Sequence, residues 1–156
     1  MLDRYRDVFK SLNFHEVRYL VIGGIAAIVH GVPRMTLDLD MLIEATPDNA
    51  QRLLDAFLDA GLGTAALTTA DSLLATPITI FKDRVRIDVQ TTTPGITFAD
   101  AWPRRFTIEH AGQQVHLASR QDLIASKLAA GRPVDLEDVR LLRLADEEPP
   151  DTGPAR

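Results

Sequence analysis

With 156 residues, 46% of them hydrophobic and 25% charged, the chain suits one domain that buries its core without cross-links. Cysteine is absent, so disulfides and thiolate-held metals are excluded, and the net charge of −5 argues against a basic nucleic-acid-coating domain, though not against an enzyme that touches one RNA end. No apolar run reaches the ~20 residues of a membrane span, and the opening Met1-Leu-Asp-Arg-Tyr-Arg is too polar for a signal peptide; the expected location is the cytoplasm.

Taken in chain order, Leu2, Tyr5, Val8, Phe9 and Leu12 recur near a 3.6-residue period and predict a helix over residues 1–14. Arg18–Ile22 reads as a short apolar strand stopped by Gly23-Gly24, with a helix over Ile25–His30 closed by Gly31 and Pro33. From Leu37 to Glu44 the chain alternates: Leu37, Leu39, Met41 and Ile43 point one way, and Asp38, Asp40, Leu42 and Glu44 the other. Thr46-Pro47 opens a helix that Gly61 ends. Leu62–Thr76 reads as an irregular loop or a poor strand, and residues 77–81 and 84–90 as a hairpin turning at Lys82-Asp83. A short helix is predicted over Phe98–Arg104 and a second hairpin around Ala111-Gly112. Ser119 caps a helix to Ala130, which Gly131-Arg132-Pro133 breaks, and a last helix spans about Val134–Ala145. Helices interleaved with strands predict an α/β (α+β) domain over residues 1–146, followed by a disordered acidic, proline-rich tail over 147–156.

The chemistry concentrates in two strands. A strand that delivers the chain to two glycines and then a helix lets backbone N–H groups approach an anion closely, although a tight turn explains the glycines as well. Asp38 and Asp40 stand two residues apart on one strand face. Like charges so placed repel, and a divalent cation such as Mg²⁺ resolves the conflict with carboxylate, phosphate and water oxygens; two solvated acids on an edge strand are the plain alternative. A third carboxylate, Asp88 in Arg84-Val-Arg-Ile-Asp-Val-Gln90, faces away from Ile87 and Val89. If the two strands are neighbours, three acids converge.

An apolar strand, Gly23-Gly24, a spacer of thirteen residues, Asp38-x-Asp40 and a later strand aspartate resemble the DNA polymerase beta-like nucleotidyltransferase superfamily. Within it, Gly23-Gly24-x-Ala26 and Arg34-x-Thr36-x-Asp38-x-Asp40 are similar to the small bacterial members related to abortive-infection and toxin-antitoxin nucleotidyltransferases. Asp122-Leu-Ile-x-x-Lys127 followed by Arg132-x-x-Asp135-x-x-Asp138 resembles the Lys, Arg and Asp motif of the same branch. Gly24 departs from the serine that many active relatives carry. The resemblance implies a nucleotidyltransferase fold, a mixed central sheet flanked by helices. It implies transfer of NMP from ATP or another NTP to an acceptor hydroxyl on an RNA end, a protein or a small molecule. A toxin-antitoxin or phage-defence role, with a partner protein encoded alongside, is the matching biological expectation. The implied cofactor is Mg²⁺ or Mn²⁺ on Asp38, Asp40 and Asp88, which with Lys127 are the implied catalytic residues. Gly23, Gly24, Arg34, Thr36 and Arg132 are the implied nucleotide contacts. A non-catalytic module of the same fold that binds a nucleotide or a partner is the alternative.

Around this motif the other candidates carry plainer readings. Arg86 shares the Asp88 face and can pair with it. His30, at a helix end, suits a structural role in which an imidazolium is favourable. His15, His110 and His116 have no ligand spacing, Trp102 reads as packing, and Asp135 and Asp138 suit the start of the last helix as dipole partners.

Overall fold

The computed structural model describes residues 1–147. The expected acidic tail therefore lies outside the described residues, apart from Glu147, which closes the last helix. The fold is α/β, with six strands in one mixed sheet. The strands are β1 (Tyr19–Ile22), β2 (Leu39–Ile43), β3 (Ile78–Lys82), β4 (Arg86–Gln90), β5 (Phe106–His110) and β6 (Gln113–Leu117), in the spatial order β3-β4-β2-β1-β6-β5. β1 runs antiparallel to β2 and parallel to β6, while β2 and β4 are parallel. The hairpin partners β3 and β5 form the two edges.

Period-two alternation decides what each face of this sheet carries. Leu39, Met41 and Ile43 of β2 and Ile87 and Val89 of β4 are completely buried in the main core. The same core takes in the buried sides of α1 (Arg6–Phe14) and α3 (Pro47–Asp59). α1 packs on α3 and β6, and α3 is capped by Thr46 Oγ1 accepting from the Asn49 amide, with proline in its first turn. The opposite face is covered more sparsely: Ile22, Leu42 and Ala118 pack under Ile96 and Phe98. Burying one Leu or Ile side chain stabilises by about 1.5–3 kcal/mol, so the fuller face anchors the sheet and the thinner one leaves room for polar side chains.

Three differences from the sequence reading have local causes. Residues 62–76 hold a 3-10 turn (Gly63–Leu67) and a short helix, α4 (Ala70–Leu74), rather than a loop or strand. Thr69 caps α4 through the Ser72 amide, and Leu73 seals into the core; a five-residue helix depends on that packing, because short helices are marginal alone. The helix after β1, α2, begins at Gly23 itself and runs to Val29. The break at Gly131-Arg132-Pro133 stands, but Pro133 itself opens α7 (Pro133–Glu147), one residue before the expected start, since the first helical position tolerates its missing N–H. The preceding helix, α6 (Arg120–Ala130), ends on Gly131 in the left-handed conformation, and Ser119 caps it through the Asp122 amide. The short helix at 98–104 is α5 (Phe98–Ala101) continued as a 3-10 turn, Trp102–Arg104.

Candidate active site

The register of β2 on β4 builds the site. Asp40 pairs with Asp88 across the parallel ladder, so both carboxylates leave the sheet on the same, thinly covered face. Asp38 lies just before β2 begins, where the Tyr5 hydroxyl donates to the Leu37 carbonyl and, at 3.3 Å, to the Arg86 carbonyl. One buried tyrosine thus ties the approach to β2 to the start of β4. Gly23 has φ +68°, and a Cβ there would lie 2.9 Å from the Cβ and Cγ of Asp40 and closer still to its Oδ2. Glycine is required on both counts, backbone and space. Gly24 packs against the next loop: an added Cβ would lie 3.0 Å from Arg34 Nη2 and 3.1 Å from Thr36 Cγ2. A serine in its place would need the Arg34 and Thr36 side chains to move aside by a few tenths of an ångström.

Charge at the site is unevenly compensated. The Arg86 guanidinium forks onto Asp88, donating from Nε to Oδ1 at 3.0 Å and from Nη2 to Oδ2 at 3.2 Å, and its Nε lies 3.8 Å from Asp38 Oδ2. Among the described residues Asp40 has no such partner. Burial first, then the negative charges of Asp88 and Asp38, push its carboxyl up to about 6 against the smaller opposing pull of Arg86 and Lys127. The cations across the cleft are held by acids of their own. Lys127 Nζ donates to Asp138 Oδ2 at 2.7 Å and lies 3.9 Å from Asp135; Arg132 forks onto Asp135, and Arg34 Nη2 donates to Asp138 at 3.0 Å. Asp135 and Asp138 are 3% and 1% exposed. They are buried counter-ions, a role beyond the helix-dipole reading, although Asp135 does stand in the first turn of α7.

Gly23, Asp40, Asp88, Lys127, Arg132 and Asp135 line one cleft of ≈ 410 Å³. Asp38 and Arg86 lie outside its lining, joined to it where Arg86 forks onto Asp88, and Arg34 and Thr36 pack against Gly24. Among the described residues, no group of three His, Asp or Glu side chains is already arranged to hold a metal ion. The donor chemistry nonetheless fits a hard divalent cation: three carboxylates, two directly opposed on neighbouring strands, with a guanidinium already serving as the local positive charge.

This combination of a glycine-flanked acid pair, a third acid one strand over and a Lys/Arg wall is matched across the chain. Residues 4–147 fit the family described as nucleotidyltransferase of unknown function (DUF6036). The chain belongs to that family. Solved structures agree at the level of the fold. A candidate nucleotidyltransferase from Thermotoga maritima superposes with a TM-score of 0.57 at 14% identity, covering 94% of this chain and 93% of its own. An antigenic nucleotidyltransferase-like protein from Paracoccidioides brasiliensis gives 0.51 at 17% identity, covering 86% of this chain and 71% of that one. No curated protein matches the sequence.

Several side chains of this DUF6036 nucleotidyltransferase-family chain behave differently from their sequence reading. His30 is structural, but not as an imidazolium: burial first holds its pKa below the usual histidine range, its Nε2 meets the Ala118 carbonyl at 2.8 Å, and its ring lies against Phe106. His15, His110 and His116 contact Asp59, Asp3 and Thr107 respectively and share no site. Trp102 stacks on Phe98 with the Arg105 guanidinium 4.0 Å from its ring centroid. The cleft residues Ile78, Gln90, Thr93, Pro94 and Ser126 carry no signal in the sequence, because their approach to the aspartates depends wholly on strand order and on the path of the 91–97 segment. No helix among the described residues is long and apolar enough to cross a membrane.

Proposed function

We propose that the chain is a metal-dependent nucleotidyltransferase that moves NMP from an NTP to an acceptor hydroxyl and releases pyrophosphate. The observation that carries this reading is the facing pair Asp40 and Asp88 beside Gly23, opposite Lys127 and Arg132 in a single cleft. Anionic donors on one wall and cationic groups on the other suit a triphosphate that arrives with its own counter-ion. Asp38, Asp40 and Asp88 would hold Mg²⁺ or Mn²⁺, which supplies charge neutralisation to the attacking and leaving oxygens. Lys127 and Arg132 bind and orient phosphate oxygens, and because buried acids hold them in place, little reorganisation is needed as negative charge develops. Gly23 and Gly24 admit the phosphates close to the backbone, and Asp88 is the acceptor-side carboxylate that takes up the hydroxyl proton. Placement in a toxin-antitoxin or defence pair, with an RNA end or a protein as acceptor, belongs to the same proposal.

Incubation with each labelled NTP, Mg²⁺ or Mn²⁺ and a cell lysate tests it. Wild type should transfer label to an acceptor and Asp38→Ala should not. A second reading, a non-catalytic nucleotide- or partner-binding module, is favoured by one observation, the Arg86 fork that engages both oxygens of Asp88. Its mark is NTP binding that survives Asp38→Ala and Asp40→Ala, with no transfer by the wild type.

A further inference from the structure

Both carboxylate oxygens of Asp88 accept from one guanidinium, and the same Nε lies 3.8 Å from Asp38. Arg86 arises from the strand itself, two residues before Asp88 on the same face, and its side chain is 39% exposed. It is therefore neither sealed in the core nor free in solvent, and it has water beside it into which to move. A bidentate arginine–carboxylate pair is strong and directional, so a cation that takes Asp88 as a ligand competes with, and is repelled by, the guanidinium already seated on both of its oxygens. The cations that line the cleft do not duplicate this role from its rim: Lys127 and Arg132 are committed to Asp138 and Asp135 on α7.

We infer that Arg86 is a built-in counter-ion of the carboxylate cluster, a positioning residue that a divalent cation displaces only when a nucleotide arrives with it. The inference rests on the nucleotidyltransferase reading and deepens it. In the free protein the guanidinium neutralises Asp88 and holds its carboxylate toward Asp38, which keeps metal affinity low. When a triphosphate enters the cleft, its negative charge gives the released guanidinium a new partner, so the cost of breaking the fork is offset only in the ternary state. Metal and nucleotide then bind cooperatively, and linkage requires each to tighten the other by the same factor.

The test is Mn²⁺ binding, followed by the loss of the free-ion electron paramagnetic signal, with and without a non-hydrolysable ATP analogue. Wild type, Arg86→Gln, Arg86→Lys and Asp40→Asn are compared, and the analogue's own Mn²⁺ binding is subtracted. Wild type should bind Mn²⁺ weakly alone and about 5–150-fold more tightly with the analogue, the usual span of coupled sites. Arg86→Gln should bind Mn²⁺ alone about tenfold or more tighter than wild type and lose most of that coupling, because a unit positive charge beside the ligand carboxylates opposes the cation. Arg86→Lys, with the charge but not the fork, should lie between them, which also guards against a Gln variant that misfolds. The inference is overturned if removing the fork leaves Mn²⁺ affinity unchanged or weaker while wild type still shows nucleotide-coupled binding. If wild type shows no binding above Asp40→Asn under any condition, the metal-dependent reading itself fails along with it.

Discussion

Replacing Asp40 by Asn should make the protein more stable and inactive at once, and the gain should depend on pH in a defined direction. Folding raises the Asp40 carboxyl from 3.8 to about 6, first through burial and then through Asp88 and Asp38. A carboxyl whose pKa is raised on folding favours the folded state fully below its unfolded value and loses that contribution as the pH climbs through the folded one. The window is therefore pH 3.8 to about 6. Above it the ionised side chain costs about two pKa units, or up to about 3 kcal/mol at 1.36 kcal/mol per unit. Asn keeps the shape and removes the charge. Asp40→Asn should thus gain up to about 3 kcal/mol at pH 7–8, roughly 6–12 °C in Tm for a chain of this size. The gain should shrink to near zero by about pH 4, where both side chains are neutral. Urea unfolding of the two proteins from pH 4 to 8, without metal or nucleotide, measures the difference directly. A variant less stable than wild type at pH 7, or an offset equal at pH 4.5 and pH 8, would refute the account of Asp40 as an uncompensated charge. A cation bound to the native state would restore stability by mass action.

Other substitutions separate structural from chemical roles. Lys127→Ala strips a buried cation from Asp138 and Asp135, and should lower unfolding free energy by about 3 kcal/mol; less than about 1 kcal/mol in denaturant titration would mean that Arg34 and Arg132 already suffice. Gly23 and Gly131 share nearly the same backbone, φ +68° and +67°, but differ in surroundings, since a Cβ at Gly131 meets nothing nearer than 3.7 Å. Gly131→Ala should cost only the left-handed penalty of about 1–2 kcal/mol and leave nucleotide binding intact. Gly23→Ala should cost measurably more and weaken nucleotide binding by displacing Asp40, as thermal unfolding and fluorescence titration can show. Tyr5→Phe removes the hydroxyl that links the Leu37 and Arg86 carbonyls; it should cost about 1 kcal/mol and lower transfer more than global stability explains, with unchanged transfer counting against a positioning role for Tyr5.

The legible part of this protein was local. Alternation over Leu37–Glu44 and Arg84–Gln90 assigns each aspartate to the polar side of its own strand, because successive side chains in a strand must point to opposite faces. The Gly23-Gly24 turn, the Ser119 cap and the Thr46-Pro47 helix start are equally local, each set by the backbone preferences of one or two residues. Pairing is not local. Only tertiary structure decides that β4 lies parallel beside β2 with Asp88 opposite Asp40, since strands joined through some forty residues have no register written in their spacing. Only the packing of α7 against α6 turns Asp135 and Asp138 from helix-start acids into the buried partners of Lys127, Arg132 and Arg34. The three acids were thus readable residue by residue, whereas the balance of charge across the cleft depends on α7 returning against α6, which buries Lys127 with Asp135 and Asp138.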